Sequence, residues 1–325
     1  MALLEVDDLS VVLSTARGPA KAVRKVSFAL ARGETLGVVG ESGSGKSMTV
    51  LAMLGLLPEG ARAAGQVRFE GRDLLSLDEA ELCRVRGDRI GVVFQEPMTA
   101  LNPLHSVGRQ VAETLMLHRG MSAGASRREA IRLLDRVGIP QAARRVDAYP
   151  HQFSGGQRQR VTIAIALACG PDLLIADEPT TALDVTIQRQ ILELIAGLVE
   201  EIKMALILIS HDLGVIAENV GRTLVMYGGA LVEEGSTSEV FARPSHPYTQ
   251  GLFRARPRLG AGRGTRLSTI KGAVPELADI PPGCPFAGRC PLSIPACDAA
   301  LPPSVPISAS HAARCIRLDV ALGTA

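Results

Sequence analysis

Residues Gly40-Glu41-Ser42-Gly43-Ser44-Gly45-Lys46-Ser47 decide the fold. They follow a short apolar run at 35–39 and precede a helix-like stretch at 47–57. The pattern G-x-x-x-x-G-K-[ST] between a strand and a helix is a phosphate-binding loop. Its glycines let successive backbone N–H groups turn inward around phosphate oxygens. The helix that follows points its N-terminus at the same negative charge. This spacing assigns Lys46 to the β- and γ-phosphates and the Ser47 hydroxyl to Mg²⁺. The bland alternative is a Gly-rich turn with an exposed lysine, and the flanking strand and helix weigh against it.

Working outward, runs at 90–94, 173–176 and 205–209 are also short, apolar and bounded by turn or charged residues. They predict buried parallel strands. Residues 3–9 and 22–30 alternate apolar and polar side chains, as half-buried antiparallel strands do. Further helical patterns fall at 157–168 and 186–204. Such alternation predicts an α/β fold with a parallel sheet covered on both faces. Residues 97–149 offer no good strand but two helical patterns, at 107–118 and 127–137, and read as a helical insertion.

Composition sets the bounds. The chain has 325 residues, 46% hydrophobic and 21% charged, which excludes disorder. Its length suits about two domains. Aromatics are only 3%, so the core is mostly aliphatic. No apolar run approaches the roughly 20 residues of a spanning helix. Residues 1–10 lack a basic-then-apolar export pattern. The expectation is a protein without a membrane span, whose cysteines are free or metal-bound rather than disulfide-linked. The net charge of +2 gives no bulk-charge reason to bind nucleic acid. That +2 is a cancellation. Residues 243–325 carry ten Lys+Arg and four Asp+Glu, a local +6, against −4 for residues 1–242. The same tail holds 12 of the 20 Pro and four of the six Cys. The shift predicts a compact domain at 1–242 and an irregular Cys- and Pro-rich extension at 243–325.

Two further motifs carry chemistry. Leu173-Leu174-Ile175-Ala176-Asp177-Glu178 is an apolar strand ending in two carboxylates. Beside a phosphate loop, this suits Asp177 for holding Mg²⁺ through water, and Glu178 for orienting and activating the attacking water as a general base. Phe153-Ser154-Gly155-Gly156-Gln157 precedes a helix and forms a second anion site. In a domain that binds one nucleotide, such a site makes sense if it serves the nucleotide of another copy.

Here the residues resemble a family. Ser154-Gly155-Gly156-Gln157 is similar to the signature motif of ATP-binding-cassette ATPases, with Phe153 where leucine is usual. Gln95, Ala182-Leu183-Asp184 and His211 stand where that family has its Q-loop, D-loop and H-loop. The resemblance implies a P-loop NTPase (RecA-like) core with an antiparallel β subdomain. It also implies a helical subdomain at about 97–158 carrying the signature motif. Two such domains would clasp two ATP molecules head to tail, with Mg²⁺. The implied nucleotide contacts are Gly40, Glu41, Ser42, Gly43, Ser44, Gly45, Lys46, Ser47, Met48 and Gln95, joined by Ser154, Gly155, Gly156, Gln157 and Asp184. Ser47, Gln95 and Asp177 would serve Mg²⁺. Lys46, Gln95, Glu178 and His211 would form the catalytic set, with His211 on the γ-phosphate. One departure stands out. The family usually stacks an aromatic ring on adenine, and Gly18-Pro19-Ala20-Lys21-Ala22-Val23 has none, with Ala20 or Lys21 at that place.

A narrower resemblance covers nearly the whole chain. Glu41 to Ser47, Gln95-Glu96-Pro97-Met98-Thr99-Ala100-Leu101-Asn102-Pro103, Tyr149-Pro150-His151-Gln152-Phe153 and His246-Pro247-Tyr248-Thr249 resemble the dipeptide/oligopeptide/nickel importer subgroup. This implies an ATP-hydrolysing importer subunit, peripheral on the cytoplasmic face of the inner (plasma) membrane. Its implied partners are two permease subunits, an extracytoplasmic substrate-binding protein acting through them, and a second cassette, a paralogue rather than a self copy. The permeases' coupling helices would meet the 97–149 insertion, unless Met98, Leu101 and Leu104 are plain core. Peptides are the implied cargo, with nickel or glutathione as alternatives. A non-transport cassette acting on nucleic acid is a different class. Only the basic tail favours it, and that tail lacks interleaved aromatics. No nucleic-acid partner is expected.

Cys284, Cys290, Cys297 and Cys315 give C-x5-C-x6-C-x17-C, with proline after the first two. Four cysteines can complete a [4Fe–4S] or Zn²⁺ site, and this spacing is not the paired C-x2-C of common zinc modules. The alternative is four reduced cysteines in a Pro-rich wrap. Cys83 and Cys169 lie in apolar helical contexts and are expected in the core.

Overall fold

The computed structural model describes residues 2–181, 183–255 and 269–324. Ala182 of the expected D-loop and the side chain of Met98 lie outside that description. Twelve strands occur among the described residues: β1 Ala2–Thr15, β2 Gly18–Ala31, β3 Thr35–Val39, β4 Arg62–Phe69, β5 Arg72–Asp73, β6 Ile90–Val93, β7 Leu173–Asp177, β8 Ala205–Ile209, β9 Arg222–Tyr227, β10 Ala230–Ser236, β11 Val305–Pro306 and β12 His311–Ala313. The chain forms two compact units. One holds residues 2–3, 30–35 and 76–209, and the other holds 4–29, 36–75, 210–255 and 269–324.

In the first unit β6, β7 and β8 are parallel neighbours, with Val93 opposite Ala176 and Asp177 opposite Ile209. β7 and β8 are buried along their whole length. A strand covered on both faces has no polar side to show, so its sequence reads as an unbroken apolar run. The expected helical insertion is present, and no strand interrupts it among the described residues. Ser106 caps Val107–Arg119 by accepting from the Arg109 N–H, and Gly120 ends that helix at φ 62°. Ser122 caps Ala123–Arg136 in the same way, through the Ala125 N–H. That helix starts four residues before the expected 127 because the cap sets its start and not the apolar periodicity. Leu101 is buried, whereas Leu104 is 80% exposed, so plain core packing holds for the first and not the second. Cys83 overturns its expectation: it is exposed on the helix Glu79–Val85, whose inward positions are Leu82 and Val85.

In the second unit β2, β1, β4 and β5 form an antiparallel sheet in that order. β3 runs parallel to β9, and β9 turns back as β10 through Gly228 and Gly229, at φ 52° and 79°. Such paired left-handed residues favour a tight hairpin. The extension then adds β12 and β11 beyond β10. Its anchor is Glu233, 1% exposed. The Glu233 carboxylate accepts from the Ser245 N–H, the His246 N–H (both 2.8 Å) and His311 Nε2 (2.7 Å). The described part of the extension holds the helices Pro247–Ala255 and Leu318–Ala321 and three short 3-10 turns among irregular segments, and its two short strands extend this unit's sheet.

Candidate functional site

The phosphate loop sits between β3 and the helix Lys46–Met53. Gly45 occupies that helix's N-cap at φ 98°, and no side chain caps the helix. A Cβ at Gly45 would stand 2.7 Å from the Ala22 carbonyl oxygen, so the loop's course requires glycine there. Lys46 is 6% exposed. Its Nζ donates to the Gly40 carbonyl (2.8 Å) and the Glu41 carbonyl (3.1 Å). A buried ammonium bound to loop carbonyls is a charge fixed at the mouth of the loop. His211 lies just after β8 and shares a cleft with Val39, Gly40, Glu41 and Leu213. Two residues of the extension, Leu252 and Ala255, line the same cleft. Ala20 of β2 is 5% exposed, whereas Lys21 is exposed, so of these two Lys21 is the one that presents its side chain to solvent.

In the other unit the structure joins Gln95 to Glu178. Gln95 Nε2 donates to Glu178 Oε2 (3.2 Å), and Thr181 Oγ1 donates to the same oxygen (3.0 Å). Glu178 has φ 47°, a left-handed backbone that a side-chain-bearing residue adopts at a cost of about 1–3 kcal/mol. The turn after β7 thus holds its carboxylate in a strained but fixed place. The Glu178 N–H donates to the Ile209 carbonyl (3.0 Å) at the end of β8. Asp177, 5% exposed, closes β7. The Asp177 carboxylate here and the Ser47 hydroxyl of the other unit are each, by type, hard oxygen donors of the kind Mg²⁺ takes.

The signature segment is helical from Gly155 to Ala166 with Ser154 as N-cap. Ser154 Oγ accepts from the Gln157 N–H, and Gln157 Oε1 accepts from the Ser154 N–H (both 3.3 Å). Gly156 lies close to Ile187, where a Cβ would meet the Ile187 methyl at 2.6 Å. Phe153 is buried beneath the Arg145 guanidinium, 4.0 Å above its ring. Asp184 caps the helix Val185–Ile202 by accepting from the Ile187 N–H (3.0 Å).

The four tail cysteines, spread over a long stretch of sequence, line one small cavity together with His246. All are free thiols. Burial pushes the Cys284 thiol up to about 12 and raises those of Cys290 and Cys315. His246 Nε2 is buried without a hydrogen-bond partner. Four soft thiols and an unsatisfied imidazole nitrogen fit a thiolate-bound metal in donor type. Their spacing does not form a cage: among the described residues no three His, Cys, Asp or Glu side chains are placed to hold a metal ion. No step is therefore routed through such a group.

Sequence reasoning singled out Tyr248 only as part of a string and missed Tyr227 and Arg289. All three contact each other or Glu41. The string His246-Pro247-Tyr248-Thr249 was the one available signal.

A strand–loop–helix phosphate cradle with a buried lysine defines a P-loop nucleotide-binding protein. Residues 23–181 match the ABC transporter family, and residues 232–297 match the oligopeptide/dipeptide transporter C-terminal region. The chain is 51% identical over 300 residues to the oligopeptide transport ATP-binding protein OppD of Salmonella typhimurium, covering 92% of this chain and 89% of that one. It is 51% identical over 301 residues to OppD of Escherichia coli, covering 93% and 89%. A solved dimeric ATP-binding cassette, MJ0796 in a post-hydrolysis state bound to ADP and Pi, superposes with a TM-score of 0.64 at 30% identity, covering 72% of this chain and 98% of that one. The chain belongs to the ABC transporter family of ATPases.

Proposed function

We infer that this chain is the ATP-hydrolysing subunit of an ABC importer that takes up peptides, coupling ATP binding and hydrolysis to passage through separate permease subunits. The observation that carries the reading is the phosphate loop with Lys46 buried at its mouth, in a chain half identical to OppD proteins. In this reading the loop Gly40 to Met48 binds ATP and Lys46 grips the β- and γ-phosphates. Ser47, Asp177 and Gln95 serve Mg²⁺, which when bound screens the phosphate charge. Glu178 takes a proton from the attacking water, and Gln95, already bonded to it, orients that water. His211 holds the γ-phosphate. Ser154, Gly155, Gly156, Gln157 and Asp184 serve the nucleotide of a second cassette, a paralogue rather than a self copy.

Residues 1–242 form the working cassette, with the helical subdomain at about 97–158, and 243–325 form its extension. Leu104 and Leu117, 80% and 74% exposed, support a protein-binding face on the insertion, where the permeases' cytoplasmic helices would seat. Among the described residues no helix is long and apolar enough to cross a membrane. Peripheral seating on the cytoplasmic face of the inner membrane follows from partnership with permeases fed by an extracytoplasmic binding protein. The one cavity that the four thiols share is the support for a [4Fe–4S] cluster in the tail, with Zn²⁺ the lesser choice; a cluster would have to draw together thiols that are not spaced as a cage in this structure. Anaerobic purification tests it: brown, iron-containing protein is expected, and a colourless, iron-free preparation refutes it.

The decisive test is Glu178→Gln in the assembled transporter. ATP binding should persist and a closed cassette dimer should accumulate, while turnover falls roughly 10²–10⁴-fold. Normal steady-state hydrolysis would refute the base assignment. Uptake of labelled peptide, nickel or glutathione by proteoliposomes holding the wild-type complex decides the cargo.

A further inference from the structure

The extension reaches the phosphate loop through one side chain. Arg289, in the short turn Ala287–Arg289 just before Cys290, keeps its side chain only 8% exposed. Its Nη1 donates to Glu41 Oε2 (2.7 Å) and to the Tyr227 hydroxyl (3.0 Å). Its Nη2 donates to Glu41 Oε1 (3.4 Å) and to the Gly272 carbonyl (3.2 Å). Its Nε donates to the Lys271 carbonyl (3.0 Å). Every guanidinium nitrogen is thus engaged, and the fork cannot turn away without breaking several charge-assisted bonds.

Glu41 is the second residue of the phosphate loop, and the extension holds it twice. Its carboxylate is on Arg289. Its backbone N–H donates to the Tyr248 hydroxyl (2.8 Å). Its carbonyl in turn accepts from Lys46 Nζ (3.1 Å). Behind this contact the chain gathers three of its scarce aromatics. Tyr227 and Tyr248 have ring centroids 4.5 Å apart, and Phe286 stands edge-on to Tyr227 at 5.2 Å. Tyr227, Tyr248 and Phe286 are fully buried, so the support is rigid. A phosphate loop binds well when its N–H groups and lysine are already placed, because binding then costs little ordering. Here that placing depends on a residue from the far end of the chain.

We propose that Arg289 is a positioning residue for ATP: acting through Glu41, it makes nucleotide affinity depend on the docked C-terminal extension. This rests on the phosphate-loop reading above, and the test separates the two. Full-length wild-type protein, Glu41→Ala, Arg289→Ala, Arg289→Lys and the Glu41→Ala/Arg289→Ala double variant are titrated with a fluorescent N-methylanthraniloyl derivative of ATP in the presence of Mg²⁺. KM and kcat are then measured in the assembled transporter, and thermal midpoints without nucleotide.

Arg289→Ala should weaken nucleotide binding roughly 3- to 30-fold and raise KM, with kcat nearly unchanged. It should add nothing in the Glu41→Ala background. Arg289→Lys, which keeps the charge but loses the fork, should fall between and guards against misfolding of the alanine variant. A lowered thermal midpoint with unchanged affinity would overturn the proposal, because Arg289 would then only fasten the tail. Equal losses in both backgrounds would also overturn it, because the arginine would not act through Glu41. Failure of the wild type itself to bind the analogue would instead overturn the phosphate-loop reading.

Discussion

Two helices of this chain start beside glycines as anion sites do, and they start in opposite ways. The helix Lys46–Met53 begins on Gly45, with no side chain spent on its N-terminus. The helix Gly155–Ala166 begins on Ser154 and closes on itself through a capping box with Gln157. The first end needs an outside anion to satisfy its leading N–H groups, and it is propped from behind by Tyr248 and Arg289. The second already satisfies two of its leading donors, the Ser154 and Gln157 N–H groups, and gains less from an anion. A phosphate loop is therefore a binding site in the single chain. In the reading proposed above, the signature helix would trade an internal bond for an external one when a partner's nucleotide arrives. On that proposal the difference would give affinity to one end and dimer sensing to the other.

The sharpest way to break the comparison is to remove the fixed charge from the first end. Lys46→Ala deletes the ammonium that bridges the Gly40 and Glu41 carbonyls. Losing the charge-assisted bonds proposed from this ammonium to the β- and γ-phosphates, at about 1.5–3 kcal/mol each, should weaken ATP binding by the single chain about 100-fold or more. Equilibrium titration checks it, and unchanged affinity would place the nucleotide elsewhere.

Next in size is the anchor that keeps the prop in place. Glu233→Ala leaves His311 and the Ser245 and His246 N–H groups buried without their acceptor. Each buried donor left without its acceptor costs roughly 1–3 kcal/mol. A lowered thermal midpoint, together with weaker ATP binding, would tie the loop's readiness to the tail. A lower midpoint with full affinity would mean that the loop stands without it.

Legibility followed the same division. The loop and β3, β7 and β8 could be read because buried parallel strands carry unbroken apolar runs and the glycines have a fixed spacing. The self-capped helix could be read as a serine start, though its first turn begins earlier than periodicity alone suggests. The prop could not be read. Arg289 and Glu41 lie 248 residues apart, and no local pattern marks which arginine of a basic tail folds inward. β12 was equally hidden, since a three-residue strand is held by the Glu233–His311 pair rather than by its own propensity. Cys83 misled because its apolar neighbours set the context, while the helical period turns Cys83 itself to solvent.

A milder perturbation uses pH. His246 Nδ1 accepts from the Tyr248 N–H (3.1 Å), so its neutral form helps seat the tyrosine behind the loop. Burial lowers its pKa from 6.5 to about 4, against the opposing pull of Glu233. Between those values the unfolded chain binds more protons than the folded one. Stability from this group therefore rises as pH increases from about 4 to 6.5 and is level above that. The gain is on the order of 1–3 kcal/mol. Denaturation profiles of wild type and His246→Asn over that range check it, with a flatter slope expected for the variant. Parallel slopes would show that His246 is not the titrating group.

The smallest effect tests the second helix end. Ser154→Ala removes the side-chain half of the capping box and should cost about 1 kcal/mol of stability. ATP binding by the single chain should not change, because the loop that binds it shares no residue with this cap. Hydrolysis by the assembled transporter should fall if, as proposed, the hydroxyl released from the cap is offered to the partner's nucleotide. The two readouts separate the roles of one oxygen. If only the thermal midpoint moves, Ser154 is a cap and nothing more, and the two helix starts differ merely in how they are closed. If single-chain affinity falls as well, the division between a binding end and a sensing end is wrong.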